Sequence, residues 1–380
     1  MVEKLSKTNS IKMKKILFIM AVISLTACGK FGQKSSYEID GSLVAKDSTV
    51  VYLKSYQTEE PRLDSAFIVN GKFNFKGKLN APAQFFLYTQ KNEAENQRLT
   101  FVLENADYQI TGTEDSISLA KVEGAEEQAY YLDLKKQLSP IEARFKTLQK
   151  SYYQAADVKD TLKMNAIDAE WEIEGKVFDS ISRSFIKNNP KAFASLLAVD
   201  ELAGGVIEPT VIEPLVSGLD AKLLLSPLGK NISEKLDKAK KTAVGQKYID
   251  FKSTDIHQKE FQLANVKSKY ILLDFWASWC GPCRAENPFV VKAYESYHSK
   301  GLEIVSVSLD DNAKDWKEAV LKDHLNWIHV SSLKGFDEPA AKLYGITAIP
   351  QNLLIDNTGT IVAKDLRGNA LAIALANCLK

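Results

Sequence analysis

Four cysteines in 380 residues are too few to staple a fold together, so this chain is not a disulfide scaffold and packed cores must carry its stability. Histidine is equally sparse. His257, His298, His324 and His329 are scattered without ligand spacing, which argues against a zinc site and leaves them as ordinary surface or partly buried side chains. Excess charge is missing too: a net charge of +1 provides no basic field for a nucleic-acid partner. No apolar run reaches the roughly 20 residues that a membrane-spanning helix needs. What remains is a globular composition, 45% hydrophobic, on a chain longer than one typical core. Several domains are expected, and nothing in the composition asks for a metal or a cofactor.

Two of the few cysteines stand three apart in Trp279-Cys280-Gly281-Pro282-Cys283. Such a pair can cycle between dithiol and disulfide. The apolar run Tyr270-Ile271-Leu272-Leu273-Asp274-Phe275-Trp276 reads as a buried strand, and Arg284 to His298 reads as a helix, with the pair in the turn between them. Cys280 then lies at a helix N-terminus, where unpaired N–H groups and the positive end of the macrodipole stabilise a thiolate by roughly 0.3–2 kcal/mol. Gly281 and Pro282 add no charge, and Pro282 suits a first helical turn. So modest a stabilisation favours a reducing couple over a strongly oxidising one.

Other uses of the pair fit less well. A structural zinc site needs a second Cys or His pair, and haem attachment needs His where Arg284 stands. A structural disulfide closing so short a loop would stabilise little. A peroxiredoxin would carry a Pro and Thr pattern upstream of its reactive cysteine, which Cys280 lacks.

The stretch from Asp274 through Trp279-Cys280-Gly281-Pro282-Cys283-Arg284-Ala285-Glu286-Asn287-Pro288 resembles the active-site strand, turn and helix of thioredoxin-like proteins of the membrane-anchored TlpA/ResA type. Downstream, Tyr344-Gly345-Ile346-Thr347-Ala348-Ile349-Pro350 is similar to the segment that carries the family's cis-proline, and Leu353 to Gly359 resembles the hairpin after it. The resemblance implies that Cys280 attacks, that Cys283 resolves the mixed disulfide, and that Pro350 is the cis-proline. It extends substrate contact to Trp279, Gly281, Pro282, Ile349 and Pro350. Cys280, ahead of the helix, is expected to be the more exposed sulfur, and Cys283, one turn in, the shielded one.

Asp274 sits between Leu273 and Phe275 in the expected strand, where a charged carboxylate is expensive to bury, so its pKa is expected to be raised. In thioredoxins the matching position accepts the resolving thiol's proton; the alternative is a strand-end Asp that reaches water. Glu286 also matches the family pattern, with a solvated or paired charge as its simplest reading. Trp276 is expected in the core, Pro288 as a helix kink, and Cys378 as a buried inert thiol on an apolar helix.

Lys12, Lys14 and Lys15 precede an apolar stretch from Ile16 to Ala27, the pattern of an export signal, and Met13 would itself begin a compact one. Leu25-Thr26-Ala27-Cys28 resembles the lipobox of bacterial lipoproteins, which implies lipidation at Cys28. The expected plan is a signal peptide with its lipidated cysteine at 1–28, a tether at 29–36, a β-sandwich at 37–123, a helical region at 124–245 and a thioredoxin-like α/β domain at 246–380. Asn70-Gly71 predicts a hairpin, with Phe73 and Phe75 on one face and Lys72, Asn74 and Lys76 on the other. In the helical region Tyr130, Leu132, Leu134 and Leu138, then Trp171, Ile173, Val177, Ile181 and Phe185, are expected to face the core. The C-terminal order is a strand to Trp276, the active-site helix, a strand at Leu302–Ser308, a helix at Asp315–Leu325, a strand at Trp327–Val330, a helix near Pro339–Tyr344, then a hairpin and a last helix. The stretch from Asp315 to Val330 resembles the insertion of TlpA-type proteins.

The expected function is a lipid-anchored, periplasm-facing thiol:disulfide oxidoreductase of the bacterial envelope that reduces protein disulfides. Because the periplasm is kept oxidising, a membrane dithiol donor is the implied partner. A disulfide oxidase or isomerase is the alternative within the enzyme class. Outside it stands a ligand-binding structural lipoprotein with an incidental dithiol.

Overall fold

The computed structural model describes residues 34–379 apart from Lys159; the expected export segment, Cys28 and most of the tether lie outside the described residues. Among the described residues no helix is long and apolar enough to cross a membrane.

Eight short strands open the described chain: β1 Tyr37–Val44, β2 Val50–Ser55, β3 Arg62–Phe67, β4 Lys72–Gly77, β5 Ala83–Thr89, β6 Leu99–Leu103, β7 Asp107–Thr113 and β8 Lys121–Glu123. They form two four-stranded sheets, ordered β4-β1-β7-β8 and β3-β2-β5-β6. Alternation explains the sandwich: in β4, Phe73 and Phe75 are buried while Lys72, Asn74 and Lys76 face outward, so one side of the strand belongs to a core that includes Ile39, Leu53, Phe85 and Phe101. The turn at Asn70-Gly71 forms with positive φ at both residues. It closes the expected hairpin only at its base, where Val69 and Lys72 exchange N–H···O bonds of 2.9 and 3.0 Å. β3 pairs with β2 and β4 with β1, so the chain changes sheets here, around Ile68, which is fully buried.

Six helices follow: α1 Glu126–Asp157, α2 Thr161–Asn188, α3 Phe193–Ala203, α4 Pro209–Ser217, α5 Ala221–Leu224 and α6 Pro227–Lys241. Leu134, Leu138 and Phe185 enter the helical core as expected. Leu132, Trp171, Ile173 and Val177 do not; all four are exposed. Residues two apart point to nearly opposite sides of a helix, so Leu132 cannot follow Leu134 inward. Trp171 instead lies over Phe145, ring centroids 5.0 Å apart. The sandwich and the helices share a seam. Gln128 Oε1 accepts the Val102 N–H at 2.8 Å, Glu104 Oε1 accepts the Glu127 N–H at 3.0 Å, and Glu127 Oε2 accepts the Phe193 N–H at 2.7 Å.

The last part begins with a hairpin, β9 Lys252–Thr254 and β10 Glu260–Gln262, and continues as β11 Tyr270–Trp276, α7 Gly281–Tyr297, β12 Leu302–Ser308, α8 Ala313–Lys322, β13 Ile328–Val330, α9 Pro339–Tyr344, β14 Gln351–Asp356, β15 Ile361–Lys364 and α10 Gly368–Cys378. The five-stranded sheet runs β13-β12-β11-β14-β15, with β11 parallel to β12 and antiparallel to β14. This is the layered α/β thioredoxin-like architecture, with β11 central and buried on both faces. α7 starts at Gly281 rather than Arg284, since Cys280 caps it and Gly281, Pro282 and Cys283 already form its first turn. α8 starts two residues early because Asn312 caps it, its Oδ1 accepting the Lys314 N–H at 2.9 Å. Two other readings need correction. His329 is not a surface group; it is fully buried between Trp276 and Trp327, and burial holds its imidazole down at about 4, so it is neutral. Cys378 is half-buried rather than buried: it sits in the last turn of α10, at the edge of the cluster that holds Leu371 and Leu375.

Candidate active site

β11 ends at Trp276, and the chain turns once before α7. Cys280 caps that helix: its sulfur accepts the Cys283 N–H at 3.1 Å. The two cysteines are joined as a disulfide with a Cα–Cα distance of 5.3 Å. Both sulfurs are covered, Cys280 at 5% exposure and Cys283 at 2%, so the expected contrast in accessibility is slight in this oxidised form. Both side chains belong to the apolar cluster of this domain. Surface at the turn comes instead from Gly281, Pro282 and Trp279, which is 57% exposed. Trp276 is core, as expected.

The turn is held by groups that sequence reading passed over. Asp310, 1% exposed just past the end of β12, accepts the Ser278 N–H on both oxygens, at 3.2 and 3.0 Å, and the Ser308 hydroxyl at 2.6 Å. On the other side the Arg284 guanidinium forks onto the Asp323 carboxylate and donates to the Ser278 carbonyl at 3.1 Å, while Asn287 donates to Asp323 at 2.6 Å. Charge at the end of an apolar strand was the available signal for Asp310; of its partners, Ser308 is local, but Ser278 lies 32 residues away and carries no mark of the contact. Glu286 is neither free nor merely solvated: its Oε2 accepts the Gly368 N–H at 2.9 Å and so tethers the start of α10 to α7.

Asp274 sits on β11 opposite Ser306 of β12 and Asn352 of β14. It does not reach water as a strand-end Asp would; it is 9% exposed. Burial pushes its carboxyl up to about 6, against the opposing pull of the Arg367 guanidinium and of the Ser306 hydroxyl, which donates to Oδ2 at 3.3 Å. The Ile349–Pro350 peptide bond is cis, in the loop that leads into β14. Asp274, Cys283, Glu286, Pro350 and Arg367 meet around a single small cavity of about 10 Å³, room for roughly one water. The tertiary fold thus brings Asp274, the cysteine pair and Pro350 together. Trp279 stands on the outer side, its ring 6.2 Å from that of Phe336, which is also largely exposed.

A family model described as the AhpC/TSA family matches residues 244–364, and one described as a domain of unknown function (DUF4369) matches residues 37–131. The thiol-disulfide oxidoreductase ResA of Bacillus thuringiensis subsp. konkukian is 31% identical over 143 residues, covering 38% of this chain and 80% of that protein. ResA of Oceanobacillus iheyensis is 41% identical over 83 residues, 21% of this chain and 43% of that protein. Among solved structures, the thioredoxin domain of a thiol-disulfide oxidoreductase from Bacteroides vulgatus is 33% identical, covering 36% of this chain and 99% of that one, with a TM-score of 0.35. With its dithiol pair at the head of α7 and its similarity to ResA proteins across most of their length, this chain belongs to the ResA family of thiol-disulfide oxidoreductases.

Proposed function

We propose that the chain reduces disulfides of exported proteins through its Cys280–Cys283 dithiol. One observation carries the reading: a cysteine pair at a helix N-terminus shares a crevice with a buried carboxylate and the Ile349–Pro350 loop. The Cys280 thiolate attacks one sulfur of the substrate disulfide; that S–S bond breaks, a mixed disulfide forms, and the first substrate sulfur leaves as a thiolate and takes a proton. Cys283 then gives its proton to Asp274 and attacks the Cys280 sulfur. The second substrate thiol leaves, and the enzyme holds the disulfide. Two electrons have passed from enzyme to substrate.

Each neighbour has a task in this scheme. With its carboxyl near 6, Asp274 is mostly ionised at neutral pH yet basic enough to take a proton from a thiol. The backbone of Ile349 and Pro350 pairs with the substrate chain, and Trp279, Gly281 and Pro282 form the surface on which it lands. Resetting the dithiol needs a donor. In an oxidising envelope that donor is a membrane dithiol protein, and the lipid on Cys28 keeps the enzyme beside it.

The reduction potential tests the direction of transfer. Equilibration with dithiothreitol or glutathione couples is expected to place the Cys280–Cys283 pair within a few tens of millivolts of about −270 mV. A value near about −120 mV would instead make the chain an oxidase.

A further inference from the structure

Helix α6 belongs to the helical region, yet it packs beside α9, the helix that leads into the Pro350 loop. The connection between α3 and α4 meets the segment after α9 as well. Thr347 donates its hydroxyl to the Gly205 carbonyl at 2.7 Å, and Gly205 lies so close to Ala348 that a Cβ there would come within 2.8 Å of the Ala348 Cβ. Beside this contact runs an open groove of about 250 Å³. Lys235 and Lys238 of α6 form one wall, and Phe336, Lys342, Ile346 and Thr347 line the rest. Phe336 links the groove to Trp279 and so to the cysteine turn, while Thr347 is two residues from Ile349, at most about 7 Å of extended chain. A substrate whose disulfide lies over Cys280 therefore has its flanking residues within reach of α6.

The lining is positive and aromatic, with no carboxylate among its residues. Asp337 pairs with Lys342 at 2.7 Å, and Asp200 of α3 faces Lys235, so Lys238, exposed on α6, presents the charge most open to a ligand. We propose that this groove is a substrate subsite for an acidic segment flanking the target disulfide, with Lys235 and Lys238 setting the preference. The helical region is then a specificity element for the thioredoxin-like domain. This proposal rests on the disulfide-reducing reading given above.

The test uses the full chain, reduced with dithiothreitol and desalted. Its oxidation rate is measured with two synthetic peptides that each hold one internal disulfide and differ only in carrying Asp and Glu or Lys beside it. The uncharged bis(2-hydroxyethyl) disulfide serves as the control. At low ionic strength the acidic peptide is expected to react about tenfold faster than the basic one, with the ratio falling toward one as salt is added. K235E/K238E should abolish or reverse that preference and leave the rate with the uncharged disulfide unchanged; K238Q, at an exposed position, should weaken it. Equal rates for the two peptides in the parent protein, or a preference that survives in both variants, would overturn the subsite while leaving disulfide reduction intact. Failure to reduce even the uncharged disulfide would overturn the functional reading and the subsite with it.

Discussion

Asp274, buried beside Cys283, shows how one side chain can be a cost to the fold. Its carboxyl is held near 6 in the folded, oxidised protein, against an ordinary 3.8, because burial disfavours the charge. The folded chain therefore binds this proton more tightly than the unfolded chain does. Stability from Asp274 is fully present below about pH 3.8 and is lost as pH rises through about 6, by up to about 3 kcal/mol. Asp274→Asn removes the charge and keeps the shape. Urea denaturation should find the variant more stable than the parent at pH 8, with the gap closing toward pH 4, while stopped-flow kinetics should show slower resolution of the mixed disulfide. A variant of equal stability across this range would mean that Asp274 is solvated well enough to ionise freely.

At the scale of elements, the cysteine turn is a short connection that a strand and a helix do not position by themselves. Asp310 at the end of β12 fixes Ser278 from one side, and the Arg284–Asp323 pair, reaching from α7 to the residue after α8, fixes it from the other. Both carboxylates come from parts of the chain that follow α7. Asp310→Ala leaves the Ser278 N–H and two serine hydroxyls without their charged partner, and should cost about 3 kcal/mol of stability. The measurement is chemical denaturation of the oxidised protein, paired with its reduction potential. A loosened turn shifts the potential; an unchanged potential with lowered stability would limit Asp310 to a role in folding.

Across the whole molecule, the three regions are joined by polar contacts at their seams rather than by tethers alone. Glu127, at the start of α1, binds the Phe193 N–H, and its own N–H goes to Glu104 of the sandwich. Burial pushes its carboxyl up to about 7, with Glu104 adding to the rise against the opposing Phe193 N–H. As with Asp274, the raised value means stability that is present below pH 4.5 and lost as pH rises through 7. Glu127→Gln can keep the bond to Phe193 without the charge. It should be more stable than the parent at pH 8 by about 1–2 kcal/mol, the half-buried setting reducing the effect, and equal to it at pH 4. Thermal unfolding at the two pH values checks this, and no gain at pH 8 would show that the seam holds Glu127 ionised without penalty.

What the sequence determined by itself was short-ranged. The run Tyr270–Trp276, the turn and α7 are each coded by neighbours in the chain: apolar continuity, a proline suited to a first helical turn, and a helical pattern. Strand and helix order, and with it the fold class, came from the same local periodicities. The place of Pro350 beside the cysteines was legible only through family resemblance, because nothing within the loop records what lies across the crevice. The tertiary structure decided the rest. It carried Asp310 and Asp323 to the cysteine turn, sent β3 and β4 to opposite sheets, buried His329 and exposed Ile173, and set α6 against the Pro350 loop. Such contacts close loops of tens to more than a hundred residues. Whether they form depends on how all the apolar faces pack at once, a property that no single window of the chain contains.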